Sequence, residues 1–115
     1  MSTTTESLLA DAREMLGRAD EVDGWSRSAA FLARQALEQR IRELIETRYG
    51  KMARPSFSAQ LVVLRSLVSA EVAREAAWTW AALSAATHAH SYELPPTAGE
   101  LRRWMDSVER LLNAS

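Results

Sequence analysis

The sequence contains no cysteine, only three prolines and only four glycines in 115 residues. The absence of cysteine excludes disulfide bonds, thiolate metal ligands and cysteine nucleophiles together. The four glycines are scattered along the chain, so no glycine-rich phosphate-binding loop is present. No run approaches the roughly 18 consecutive apolar residues of a membrane-spanning helix, and no basic region followed by an apolar run opens the chain. We therefore expect a cytoplasmic protein without membrane contact.

Apolar residues make up 47% of the chain and charged residues 25%, which is the composition of a folded globular domain. A chain of this length buries roughly two-thirds of its unfolded surface, enough for one core. No stretch shows sustained alternation of β-branched residues, whereas helical periodicity recurs throughout. The sequence therefore predicts one all-α domain, a helical bundle of four to five helices, mostly antiparallel because the links are short.

Capping and breaking residues set the predicted helix boundaries. Thr3 with Glu6, and Thr97 with Glu100, match the capping box that opens a helix. Gly50 permits the left-handed residue that closes one, and Ser69 caps the fourth. The predicted helices cover about 4–20, 25–49, 58–68, 70–88 and 98–112.

The fourth helix carries apolar residues on two sides. Val72, Ala76, Trp80, Leu83 and Thr87 recur at helical spacing, and Trp78 falls on another side than Trp80. One of the two tryptophans can face the core and the other cannot. The second apolar side points to a dimer interface, the alternative being a core that is wholly intramolecular.

Charge is uneven although the net charge is only −1. Residues 1–24 sum to −4, residues 25–65 to +5 and residues 66–115 to −2. The central basic segment either meets phosphate or pairs with the acidic first helix, and we favour the second. Within it, Arg34, Glu38, Arg42 and Glu46 are four residues apart and can pair along the second helix, as on an ordinary solvated face.

Both histidines lie where the fourth helix stops, in the link Thr87 to Thr97. His88 and His90 stand close to Tyr92 and Glu93, the only place in the chain with general acid–base potential. A metal site would need further ligands that the local sequence does not offer, so we expect no metal and no cofactor. A histidine at a helix end is more often a terminal residue favoured by the helix dipole than a catalyst.

The segment 29–45, with Gln35, Ala36, Glu38 and Arg42, resembles the long helix of the HEPN superfamily. These small helical bundles belong to prokaryotic toxin–antitoxin and antiphage modules. His90-Ser91-Tyr92 is similar to the His-x-Tyr stretch that ends the family's penultimate helix. The resemblance covers about residues 25–112 and implies a dimer in a prokaryotic defence setting, with the active histidines of ribonuclease members facing one cleft.

One departure from the family bears on activity. Its ribonucleases place an arginine before the catalytic histidine, with four to six residues between them. Counting back from His90 gives Leu83, Ser84 and Ala85, and counting back from His88 gives Ala81, Ala82 and Leu83. The arginine is absent. Cleavage without metal needs a cation on the phosphoryl oxygens, so His88 would have to replace it, or Arg34 or Arg74 would have to reach in.

Three hypotheses follow. The first, which we favour, is a non-catalytic interaction domain, a homodimer or a binder of another protein; its candidate binding residues are Arg34, Glu38, Arg42, Trp78 and Glu93. The second is a divergent metal-independent ribonuclease that uses His88, His90 and Tyr92. The third is a nucleic-acid-binding bundle that uses the basic segment, against which the small net charge and the acids of the second helix argue.

Overall fold

The computed structural model describes residues 4–17, 25–51, 55–88 and 96–113. Over these residues the chain forms five helices and no strand: α1 (Thr5–Gly17), α2 (Trp25–Tyr49), α3 (Phe57–Leu64), α4 (Ala70–Thr87) and α5 (Ala98–Asn113). The all-α helical bundle predicted from the sequence is confirmed. Within the described ranges, no helix is both long and apolar enough to cross a membrane.

The core is built around α2, which packs against each of the other four helices. Its alanines at positions 29, 30, 33 and 36 are fully buried, and their small side chains let neighbouring backbones approach closely. Leu37 and Ile41 continue the buried side, and Met105 of α5 and Leu83 of α4 fill the same core. Burial of one such aliphatic side chain stabilises the fold by about 1.5–3 kcal/mol.

The helix caps follow the sequence with one exception. Thr97 and Glu100 form the predicted capping box: the Glu100 N–H donates to Thr97 Oγ1 at 3.1 Å and the Thr97 N–H donates to Glu100 Oε1 at 3.0 Å. Thr4 caps α1 by accepting from the Ser7 N–H at 3.0 Å, where the sequence suggested Thr3, which lies outside the described residues. The predicted extension of α1 to residue 20 also falls outside them.

Helix α3 is shorter than the predicted 58–68. Beyond Leu64 the backbone bonds change to a spacing of three residues, with the Arg65 N–H on Val62 O and the Ser66 N–H on Val63 O. The Ser66 hydroxyl donates to the same Val63 oxygen at 2.8 Å, a local bond that competes with continued α-helix. The resulting tight turn ends α3 and leads to Ser69, whose side chain caps α4 as predicted.

Helix α4 presents its two tryptophans to different surroundings, as predicted. The Trp80 ring stacks on Phe57 with centroids 4.8 Å apart, whereas Trp78 is 65% exposed. Of the five residues of the predicted stripe, Ala76 and Leu83 are buried, and at each of the other three positions an adjacent residue is buried instead. The residues that are buried are Ala73, Ala76, Thr79, Leu83 and Ala86. Small residues point directly at the neighbouring helices, while Val72, Trp80 and Thr87 flank them and remain partly exposed.

Candidate functional site

Four side chains from α2 and α4 form a connected polar chain between these helices. The Trp80 Nε1–H donates to Glu38 Oε2 at 2.8 Å, and Arg34 Nε lies 4.0 Å from the same oxygen. At the other end of its guanidinium, Arg34 Nη1 lies 2.9 Å from His88 Nε2. The polar chain therefore connects the middle of α4 with its C-terminal end through two residues of α2.

Local structure explains how these residues meet. Arg34 and Glu38 are four residues apart on α2, so they lie on the same face of the helix, about one turn apart. His88 is the C-cap of α4, with its backbone N–H bonded to Ser84 O and its φ of −99° outside the helical range. At this position the imidazole lies beside the helix end, within reach of Arg34.

The chemistry of the guanidinium determines the direction of the hydrogen bond between Arg34 and His88. A guanidinium has five N–H donors, no acceptor, and remains protonated in proteins. In this contact Arg34 therefore donates and His88 Nε2 accepts.

Arg34 is largely enclosed by its surroundings. Its side chain is 16% exposed and that of Glu38 28%. The guanidinium carbon lies 5.6 Å from the centroid of the Phe31 ring, a cation–π distance. Its Nε is buried and has no hydrogen-bond partner among the described residues. The nearby Glu38 carboxylate therefore supplies the compensation that a largely buried cation requires.

A polar cleft of about 320 Å³ opens beside Glu38, between α1 and α2. Its lining includes the carboxamides of Gln35 and Gln39, which offer both donors and acceptors, and the side chain of Arg42. Arg42 is exposed and forms no ion pair with a described residue. Of the predicted ladder along α2, only the contact between Arg34 and Glu38 reaches ion-pair distance.

The structure brings together some of the predicted site residues and separates others. Arg34, Glu38 and His88 are in contact, Arg42 lies at the adjoining cleft, and Trp78 lies on another side of α4. Of the two arginines that the sequence offered as a substitute, Arg34 reaches His88. Arg74 is fourteen residues from His88, about 21 Å along the helix axis. His90, Tyr92 and Glu93 lie outside the described residues.

Trp80 is a site residue that the sequence analysis missed. It was assigned only to the apolar stripe of α4. A half-buried indole N–H needs an acceptor, which was the available signal. The acceptor is on a helix 42 residues away, and no spacing rule connects two such positions.

The polar chain has no features of a metal centre. Within the described ranges, no group of three or more His, Asp or Glu side chains is placed to hold a metal ion. What the cluster offers chemically is one imidazole hydrogen-bonded to a guanidinium, and one carboxylate that lies at ion-pair distance from the same guanidinium. Such an arrangement holds α2 and α4 together, and it can meet an anion only if Arg34 or His88 gives up its present partner.

A second candidate surface is the outer face of α4, which we define as Ala70, Glu71, Arg74, Trp78, Ala81 and Ala85. All six residues are exposed. On one edge, Trp78 lies against α5, beside Arg103 and Trp104. On the other edge, a groove of about 640 Å³ separates α4 from α3.

Comparisons with protein-family models, with curated proteins and with solved structures found no match.

Proposed function

We propose that this chain is a HEPN-like interaction domain that forms a homodimer through the outer face of α4 and acts without cleaving RNA. On the family resemblance alone, we propose a cytoplasmic prokaryotic defence or toxin–antitoxin module as its setting. The observation that carries the proposal is Trp78, a tryptophan that is 65% exposed on an otherwise alanine-rich face. Tryptophan is the residue most enriched among the energetic centres of protein interfaces.

The surroundings of Trp78 support self-association. Ala81 and Ala85 lie on the same face and are exposed, so a partner backbone can approach α4 closely there. A dimer with two-fold symmetry uses the same surface twice, so the surface must contain both protruding and recessed parts. Trp78 supplies the protrusion, and the alanines and the groove beside α3 supply the recesses.

The polar chain supports the non-catalytic half of the proposal. A ribonuclease of this kind needs a free base and a free cation at the phosphate. Here the lone pair of His88 Nε2 is bonded to Arg34, and Arg34 is also close to Glu38. The two groups neutralise each other's chemistry, and their arrangement is that of a structural link between α2 and α4.

Sedimentation of the purified protein over a range of concentrations tests the dimer. We expect a reversible dimer, and Trp78→Ala to raise its dissociation constant about tenfold or more, because interface tryptophans typically contribute at least 1–2 kcal/mol. Tyr49→Ala is the matched control, since Tyr49 is an exposed aromatic residue at the far end of α2. A chain that remains monomeric at every concentration, or a Trp78→Ala variant that dimerises like the wild type, would contradict the proposal.

A second candidate function is the divergent metal-independent ribonuclease, and one observation favours it. The missing family arginine has a spatial substitute, because Arg34 Nη1 lies 2.9 Å from His88 Nε2. Incubation with labelled RNA in the presence of a metal chelator distinguishes the two candidates. Cleavage that is lost in His88→Ala and in Arg34→Ala, but retained in Arg42→Ala, would establish the ribonuclease. The absence of cleavage would leave the interaction domain.

A further inference from the structure

We infer that Trp78 of one copy docks into the α3–α4 groove of a second copy, and that Glu71 of the first copy faces Arg74 at the rim of that groove. This inference rests on the dimer proposed above and specifies its contacts. Three features of the described residues support it: the shape of the groove, the charges around it that form no ion pair with a described residue, and the order of residues around α4.

The groove is apolar and open to solvent on one side. Leu61 and Val62 of α3 form one wall, and Ala70, Ala73 and Ala77 of α4 form the other. Val62, in the last turn of α3, is 63% exposed, whereas Leu64, two residues further on and on another side of the helix, is fully buried. The volume of about 640 Å³ is ample for an indole. The groove exists because the α4 wall consists of alanines, which do not fill the space.

The charges on this surface lack partners. Arg65 and Arg74 line the rim of the groove, and neither forms an ion pair with a described residue. Other arginines of the bundle do pair, as Arg13 does with Asp106 and Arg110 with Glu75. Glu71, exposed at the first turn of α4, has no described partner either. The same surface thus presents an unpaired acid and unpaired bases, as a self-complementary interface requires.

The order of residues around α4 makes the docking mutual. Glu71 and Trp78 are seven residues apart, about two turns, so they lie on one edge of the outer face. That edge is the one beside α5. The groove residues lie on the opposite edge, beside α3. A two-fold axis parallel to α4 brings each edge against the opposite edge of the partner helix, so that both tryptophans enter grooves at once.

The levels along the helix also match. Helical side chains lean toward the N-terminus, so Trp78 reaches the level of the preceding turn, between Ala73 and Ala77 of the facing copy. Glu71 and Arg74 are less than one turn apart along the axis, within reach of each other across a helix pair. The alternative occupant, an acidic amphipathic segment of another protein, matches the groove but leaves Trp78 uncovered.

A charge-swap experiment tests the pairing. Glu71→Arg alone sets like charges against Arg74 of the second copy, and Arg74→Glu alone sets like charges against Glu71. Each variant is therefore expected to dimerise about tenfold or more weakly than the wild type. When the two variants are mixed, both cross-copy contacts join opposite charges, so a heterodimer forms. Native mass spectrometry resolves the two subunits by mass, and circular dichroism verifies that each is folded.

Filling the groove gives an independent measurement. Ala70→Phe occupies the groove from its exposed end and is expected to weaken the dimer, whereas Ala10→Phe, at an exposed position of α1, is the control and is expected to leave it unchanged. The docking arrangement would be overturned if Ala70→Phe dimerised as tightly as the wild type. It would also be overturned if the single charge variants dimerised normally, or if they failed to pair when mixed. None of these outcomes would contradict the proposed dimer itself. A monomeric wild type would overturn both.

Discussion

Glu38 connects α2 with α4 through a polar contact that can be tested at the scale of one residue. It accepts a hydrogen bond from the Trp80 indole and lies at ion-pair distance from Arg34. The side chains of Trp80 and Arg34 are partly or largely buried, so water cannot take the place of the carboxylate without a cost in free energy. The two halves of its role are separable, because an amide accepts a hydrogen bond but carries no charge.

We expect Glu38→Ala to lower the free energy of unfolding by about 1–3 kcal/mol, since it leaves the Trp80 indole N–H without its acceptor and the largely buried Arg34 guanidinium without its nearest carboxylate. Glu38→Gln should recover part of this loss through the bond to Trp80. Urea denaturation followed by tryptophan fluorescence measures both. Glu46→Ala, on the same helix without a described partner, is expected to change stability by less than about 0.5 kcal/mol. Equal losses in the Glu38 and Glu46 variants would show that the polar chain contributes nothing.

Thr79 and Thr87 allow a matched comparison of two hydroxyls on α4. The Thr79 hydroxyl is fully buried without a hydrogen-bond partner among the described residues. The Thr87 hydroxyl donates to Leu83 O at 2.8 Å. We expect Thr79→Val to be neutral or to stabilise the fold by about 1 kcal/mol, because a methyl group removes a buried unsatisfied polar atom. Thr87→Val should destabilise it by about 0.5–1.5 kcal/mol. Thermal unfolding of both variants checks the difference in sign.

At the scale of the elements, the start of α5 shows a pH-dependent cap. Hydrogen bonds from the backbone and side chain of Thr97 lower the pKa of Glu100 below its ordinary value of 4.5. A lowered pKa in the folded state means that Glu100 stabilises the fold above the unfolded-state pKa, and that this contribution is lost as pH falls below about 4.5 through the folded-state pKa.

We expect the wild type to lose more stability between pH 5 and pH 3, roughly, than Glu100→Gln does, because glutamine keeps the capping geometry but does not titrate. Thr97→Ala should cost about 1 kcal/mol at neutral pH through loss of the cap itself. Urea denaturation at a series of pH values measures both effects. Parallel pH profiles for the wild type and Glu100→Gln would show that the bond to the Thr97 N–H does not depend on the charge.

The elements themselves were predictable from the sequence to a larger extent than their contacts. Local chemistry determines a helix start, so Ser69 and the pair Thr97 and Glu100 could be recognised within four residues of sequence. The end of α3 was misplaced because the apolar pattern continues past Leu64, while the competing bond from the Ser66 hydroxyl leaves no mark in hydropathy. Helix existence follows from periodicity, whereas a helix end depends on single side-chain bonds.

The candidate site was predictable only in part, for a reason of distance along the chain. Arg34 and His88 were both candidates, but their contact joins residues 54 positions apart. It arises from the way α4 packs against α2, which the sequence pattern does not specify. The two-sidedness of α4 was visible from the spacing of Trp78 and Trp80, whereas the groove beside α3 follows from the placement of alanines on one edge and was not foreseen.

At the scale of the whole molecule, stability is concentrated around α2 and is lowest at α3. The helix α2 packs against all other helices, whereas α3 packs only against α2 and α4 and buries just Gln60 and Leu64. The ion pairs that connect α5 with α1 and α4 are exposed and each contributes at most about 1 kcal/mol. Local opening therefore costs least where the fewest side chains are buried.

We expect amide hydrogen exchange to show this order. Amides in the middle of α2 should exchange only through global unfolding, with rates that rise steeply at low concentrations of urea. Amides of α3 should exchange faster and with little dependence on urea, because α3 can open while the core of α2 with α5 remains intact. Because α3 forms one wall of the groove in the proposed dimer, its protection from exchange should also rise with protein concentration. This rise should be larger for α3 than for α1. Protection of α3 equal to that of α2 in a monomeric sample would contradict the proposed order, since it would place α3 in the same cooperative unit as the core.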